Sequence, residues 1–352
     1  MPPLSEELAY QDNQMQKLEG IAEELPVPIY ILSLPRSGST LLQRLLSGHP
    51  EITTVAEPNV MLYPALALVE GHKYNLVGHD DYFGVAFHDF VQNLPGGESD
   101  YWHELGLLAK RLYAKSMPSP TKYFLDKSPY YSYVASSLFK AFDHAKYLFL
   151  WRHPLSVASS ILNYPVLGGD IGRWTLYFSP VIYEGLAGLV DAYLDNEDRA
   201  YSLRYEDLAT NTESVLSSLL NYFDLPEMDN LKAALPAAQY PGKLGDPHAT
   251  KAEYKIVRSD LMDKWKSTFC NPLRKRWARQ YLHWIGKERL AIMGYDLDEI
   301  LAELDGVPYS ARLLRKDTYW MTYGFFYRLF NGRILRDNLR KLRSGEPFWA
   351  YQ

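Results

Sequence analysis

The sequence predicts an α/β fold: a mainly parallel β-sheet flanked by helices on both faces. Three observations support it. Short, fully apolar runs rich in β-branched and aromatic residues recur along the chain. Each feeds into a stretch whose apolar residues fall at helical spacing. No internal repeat or low-complexity tract breaks the alternation. Strands that alternate with helices pair in parallel, and strands that are apolar throughout are buried on both faces.

The first unit is PVPIYILSLPRSGSTLLQRLLSGHP. Val27 to Leu34 read as a strand, a turn follows, and the leucines at 41, 42, 45 and 46 mark one face of a helix. In the second unit, Tyr123 to Leu125 form a short buried strand. Ser128 and Pro129 then supply an N-cap and first-turn proline for a helix running to about Phe142. The third has an apolar strand ending at Trp151, with Pro154 opening the next helix. The fourth, RAYSLRYEDLATNTESVLSSLLNYF, is a strand, a turn and a helix capped by Asn211 or Thr212. Between the first two units, residues 57–120 carry aromatics, histidines and a Gly96-Gly97 turn, and read as helices packed over the sheet edge.

Composition bounds the function. At 352 residues, with 47% hydrophobic and 22% charged residues, the chain is neither disordered nor a disulfide miniprotein. A net charge of −5 opposes a general nucleic-acid role. The single Cys270 excludes an intrachain disulfide and fits a reducing compartment, so a soluble, cytoplasmic protein is expected. The N-terminus lacks the basic start and apolar core of a signal peptide, and no apolar run reaches the roughly 20 residues needed to span a bilayer. We divide the chain into an extension over 1–24, a domain over 25–305 and a basic, aromatic helical tail over 306–352. Residues 309–343 carry a net charge of +7, leaving −12 on the remainder. The tail reads as a helix packing its aromatics on the domain. The alternative is an amphipathic helix meeting a membrane surface or a carrier protein.

PRSGSTL, residues 35–41, lies where a strand ends and a helix begins. Free backbone N–H groups and the helix dipole favour an anion there. Gly38 permits close approach, Ser37, Ser39 and Thr40 offer hydroxyls, and Arg36 a charged fork. Against the Walker pattern, Ser33 replaces the first glycine and Ser39 the lysine, which counts against an ATPase or kinase. A second anion site is Arg152, at a strand's carboxyl end, with Ser160 eight residues later on the following helix. Two phosphate sites on one sheet suggest a bisphosphate ligand.

PRSGSTLLQRLLSGHP, RHPLSVASS and the later RYEDL together resemble the sulfotransferases that use 3'-phosphoadenosine 5'-phosphosulfate. The resemblance implies a P-loop-like sulfotransferase fold and release of adenosine 3',5'-bisphosphate. It also implies that residues 36–41, Arg36 through Leu41, cradle the 5'-phosphosulfate. Arg152 and Ser160 would grip the 3'-phosphate, and Tyr205 would lie near the nucleotide. Lys127 in FLDKSP matches the lysine that contacts the bridging oxygen, with Arg36 sharing the neutralisation. For the base the resemblance leaves two candidates. Glu57 follows the pair His49-Pro50 as in the protein-tyrosine and heparan branches, and His248 lies in a segment that would close over the nucleotide. Lys251, Lys255 and Arg258 fall in that same segment. No metal is implied: His72, His79 and His88 with Asp80, Asp81 and Asp89 match no common zinc spacing. The acceptor would be a small metabolite, a lipid or a carrier-bound acyl chain, in a pocket drawn from residues 61–120 with Trp174 and Tyr177. The alternatives are a bisphosphate-binding module without catalysis and a degenerate P-loop kinase.

Overall fold

A computed structural model describes residues 25–68, 80–119, 121–163, 179–228, 231 and 262–330. Five strands, β1 (Val27–Leu32), β2 (Ile52–Thr54), β3 (Tyr123–Lys127), β4 (Lys146–Trp151) and β5 (Ala200–Arg204), form one sheet in the order β2-β3-β1-β4-β5. Every pairing is parallel. In chain order the helices are α1 (Ser39–Leu46), α2 (Leu62–Leu66), α3 (Asp80–Gln92), α4 (Glu98–Ser116), α5 (Ala135–Ala141), α6 (Pro154–Leu162) and α7 (Ser179–Leu194). They continue with α8 (Tyr205–Thr210), α9 (Thr212–Tyr222), α10 (Lys264–Thr268), α11 (Pro272–Ile292), α12 (Leu297–Gly306) and α13 (Leu314–Phe330). The predicted α/β class holds.

The alternation of side chains along each strand divides the core in two. Tyr30, Phe124, Tyr147 and Phe149 face a cluster completed by α4, α5, α7 and α11, whereas Ile29, Ile31, Leu125 and Leu148 face the leucines of α1 and α9. Both sheet faces are thus covered, which is why these strands are apolar without alternation.

Four local expectations change. The first strand stops at Leu32, two residues early, as the chain turns toward α1. The three-residue β2 was not predicted; ITT is too short to carry a periodic signal. The helix expected from Pro129 to Phe142 is a 3-10 turn over Pro129–Tyr133 followed by α5. Ser128 does cap that turn, accepting from Tyr130 N. Asn211 precedes α9 as expected, but its side chain makes no capping hydrogen bond.

The tail is the larger departure. α13 is fixed at its first turn by Asp317, fully buried, whose carboxylate accepts from Arg274 Nε at 2.7 Å and Nη2 at 2.9 Å. Asn271, which caps α11, donates to the same carboxylate at 2.8 Å. Beyond that anchor, among the residues whose side chains are described, Tyr319 is 63% exposed and Trp320 makes edge-to-face contacts with Tyr319 and Tyr323. Among the described residues no helix is long and apolar enough to cross a membrane.

The Arg274–Asp317 pair yields a stability prediction. Asp317→Ala leaves a guanidinium buried without its counterion, a change that costs about 3–5 kcal/mol. Urea denaturation should show a loss of that size, and a loss below about 1 kcal/mol, the value of a surface pair, would mean Arg274 is not held as described.

Candidate active site

With all strands parallel, their carboxyl ends open on one edge, and the chain reverses direction of sheet growth on either side of β1. Ligands of open α/β sheets bind at such a point. Across the sheet, in the order β2, β3, β1, β4, β5, the residues at or just past the strand ends are Glu57, Lys127, the 33–38 loop, Arg152 and Tyr205. Positions scattered over about 170 residues of sequence therefore lie in one row.

In the phosphate loop, Arg36 (φ 67) and Gly38 (φ 95) both take left-handed conformations. At Gly38 no other residue fits, since a Cβ there would run into the Tyr205 ring. Among the described residues no backbone carbonyl accepts from the N–H groups of Ser37, Gly38, Ser39 or Thr40. The start of α1 thus offers unpaired donors to an anion. Leu41 is different: its amide already donates to Gly38 O at 2.9 Å and its side chain lies in the core.

Arg152 and Ser160 come together with this loop. Arg152 Nη1 donates to Arg36 O at 2.7 Å, and Arg36 Nε donates to Ser160 Oγ at 3.2 Å. The Arg152 guanidinium lies 4.2 Å from the Tyr205 ring centroid, a cation–π contact. Its Nε is buried and has no hydrogen-bond partner among the described residues, a donor left for an anion. Next to it, both ring nitrogens of His153 are buried without partners among the described residues, and the ring stacks on Trp265 at 5.0 Å. Burial, reinforced by the Arg152 charge, pushes the His153 pKa down to about 3, so it remains neutral beside the cation.

At the other end of the row, Lys127 Nζ lies 2.6 Å from Glu57 Oε1 and 3.4 Å from Thr40 Oγ1, to which it donates. The lysine side chain is 3% exposed and the glutamate 21%, so the pair opens to solvent on the carboxylate side. Several contacts hold the Glu57 loop. Gln43 of α1 donates to Thr54 Oγ1 at 2.8 Å and Val55 O at 3.0 Å. His49 is buried and its Nδ1 accepts from Glu51 N, so the His49-Pro50 pair shapes the turn into β2. Beneath Lys127, Asp126 Oδ2 accepts from Tyr113 OH at 2.6 Å and Tyr131 OH at 2.7 Å, and Tyr30 and Tyr113 hydroxyls are 3.0 Å apart. Tyr131 OH also accepts from Met61 N at 3.4 Å.

His248, with Lys251, Lys255 and Arg258, lies outside the described residues, as do His72, His79, Trp174 and Tyr177. The sequence reading missed Asp126, Ser128, Asn59 and Gln43. The first three flank the chosen Lys127 and Glu57 in DKS and EPN, and that adjacency was the available signal. Nothing in the sequence pairs Gln43 with Thr54.

The sequence model described as "Sulfotransferase family" matches residues 28–230. The nodulation protein NoeE of Sinorhizobium fredii is 31% identical over 138 residues, covering 39% of this chain and 31% of that protein. Protein-tyrosine sulfotransferase 1 of Danio rerio is 22% identical over 259 residues, 69% of this chain and 66% of that one. This chain thus spans between about a third and two thirds of the length of these two relatives. Among solved structures, the sulfotransferase domain from the curacin biosynthetic pathway covers 73% of this chain and 98% of its own, at 24% identity and a TM-score of 0.46.

Asp126 gives a pH prediction. Burial raises its pKa from 3.8 to about 6, against the opposing pull of the tyrosine hydrogen bonds and Lys127. The folded state then binds the proton more tightly than the unfolded state, so the stability this group contributes is complete below about pH 4 and is lost as pH rises through about 6. The melting-temperature advantage of wild type over Asp126→Asn should shrink across that window; a gap that does not change with pH would contradict it.

Proposed function

Because the chain belongs to the sulfotransferase family, we propose that it moves a sulfuryl group from 3'-phosphoadenosine 5'-phosphosulfate to an acceptor hydroxyl, releasing adenosine 3',5'-bisphosphate. The observation that carries this reading is the Glu57–Lys127 pair at 2.6 Å, set against Thr40 of the phosphate loop. Transfer between oxygens makes two demands. The attacking hydroxyl must lose its proton as its oxygen bonds to sulfur, and the bridging phosphate oxygen gains charge as its bond to sulfur breaks. Glu57 takes the proton. Lys127 meets the leaving oxygen, and as Nζ turns toward it the carboxylate is released from the ion pair to act as base.

The rest of the row binds. Arg36 and the free amides of residues 37–40 suit the phosphosulfate, while Arg152, Ser160 and Tyr205 suit the 3'-phosphate. The unpartnered Nε of Arg152 supports that assignment, because a buried unpaired donor costs on the order of 1–3 kcal/mol that an anion would relieve. Lacking the Walker lysine, the loop disfavours a nucleoside triphosphate. Calorimetry with adenosine 3',5'-bisphosphate, beside ADP with magnesium, tests the reading. The bisphosphate should bind and ADP should not compete, and Arg152→Ala should weaken binding about 30-fold, the equivalent of about 2 kcal/mol. Glu57→Gln should spare that affinity and lower turnover of sulfur-labelled donor about 100-fold or more. Equal or tighter binding of ADP with magnesium would refute the donor assignment; unchanged turnover in Glu57→Gln would shift the base role to His248.

The acceptor is a small metabolite, a lipid or a carrier-bound acyl chain, reaching Glu57 past the segments that bear the exposed Tyr63 and Tyr130. Exposed Tyr309, Tyr319 and Met321, together with the +7 charge of residues 309–343, suit an anionic lipid surface. A chain ending at Phe330 keeps the Asp317 anchor yet loses five of the cationic residues. It should cosediment less with phosphatidylglycerol vesicles at low salt than the full chain; equal cosedimentation would remove this role from the tail.

A further inference from the structure

The loop bearing Glu57 has an unfavourable backbone. Glu57 (φ 33) and Asn59 (φ 54) both lie in the left-handed region, where a residue with a Cβ costs about 1–2 kcal/mol. Glu57 also precedes Pro58, which disfavours compact conformations for it. Conformations of this kind persist only where surrounding contacts over-determine them.

The Asn59 side chain supplies those contacts. Its Nδ2 donates to Glu57 O at 2.7 Å, and its Oδ1 accepts from Ser128 Oγ at 2.5 Å. Ser128 is fully buried, and its Oγ accepts in turn from Tyr130 N at 3.2 Å. A primary amide carries a donor and an acceptor on one rigid plane. One side chain therefore spans from the backbone of Glu57 to the residue next to Lys127. The same loop meets three consecutive residues of the β3 end: Asp126 through Tyr131 and Met61 N, Lys127 through the ion pair, and Ser128 through Asn59. Of these, only Asn59 grips Glu57 by its main chain, which determines where the carboxylate can reach.

We propose that Asn59 is a positioning residue for the reaction: by tying the Glu57 carbonyl to Ser128, it sets the separation between the base and the cation at the leaving oxygen. The inference rests on the reading of Glu57 as base. Asn59 acts through Glu57 and takes no part in the proton transfer. The residue type follows from this role. Aspartate can accept from Ser128 but cannot donate to Glu57 O, and glycine relieves the left-handed backbone but supplies neither bond.

The test compares Asn59→Ala, Asn59→Asp and Asn59→Gly, with Glu57→Gln as reference. A crystal structure of Asn59→Ala, which needs no acceptor, should show Glu57 Oε1 more than about 4 Å from Lys127 Nζ, beyond ion-pair reach. Turnover is read as sulfur-labelled donor consumed with 2-naphthol as the probe acceptor. All three variants should lose about 10- to 100-fold in kcat, the size of effect seen when the partners of active groups are removed. The KM for donor and the calorimetric Kd for adenosine 3',5'-bisphosphate should stay at the wild-type values. A purely structural role would instead lower stability, donor affinity and kcat together, and that outcome overturns the proposal. So does an ion pair still at its present distance in the Asn59→Ala crystal, or a wild-type kcat in the Asp variant. If Glu57→Gln is inactive while Asn59→Ala is not, the positioning role alone fails. If Glu57→Gln turns over normally, the base reading has failed and this inference fails with it.

Discussion

Every strand of the sheet points the same way, and that single constraint decides where chemistry can occur. A parallel sheet must send the chain back across its face after each strand, so all five carboxyl ends, with the loops that follow them, open on one edge. The order β2-β3-β1-β4-β5 places the phosphate loop in the middle, with Glu57 and Lys127 on one side and Arg152 and Tyr205 on the other. A ligand with two anionic groups fits along such a row. At one end of the row a carboxylate and an ammonium face each other, where the proposed transfer would place the reacting bond.

The two ends are joined through Arg36 and Gly38. Arg152 donates to the Arg36 carbonyl while the Arg36 side chain donates to Ser160, so loop and second anion site share one hydrogen-bonded unit. Gly38 gives the Tyr205 ring the room it needs, and Tyr205 underlies the Arg152 guanidinium. A disturbance at one phosphate position is therefore carried to the other by direct contact. At the Glu57–Lys127 end the supports differ in kind: buried tyrosines on Asp126 fix the strand end, whereas an amide and an ion pair fix the loop opposite.

Much of this was legible in the sequence, where local rules dominate. The four strand and helix units were readable because buried parallel strands are continuously apolar and surface helices keep a leucine stripe. The candidate anion loop stood out because a glycine among hydroxyl residues at a strand-to-helix junction leaves backbone donors facing an anion position. β2 was not, since three residues carry no period. The 3-10 turn after Ser128 was read as a continuous helix because Pro129 starts either equally well. The tail aromatics were expected against the core, but among the described side chains Tyr319, Tyr323 and Phe326 are exposed, and composition does not say which face of a helix is covered.

The sequence by itself determined the class of fold and marked the candidate anion loop with its residue types, because each depends on interactions among residues a few positions apart. Only the tertiary structure decided that Glu57 meets Lys127, that Arg152 lies over Tyr205, and that Asn59 ties the Glu57 loop to Ser128 beside Lys127. Those partners are separated by between 53 and 70 positions along the chain. Their meeting is fixed by strand order and register, which arise from packing the whole sheet and leave no local mark in the sequence.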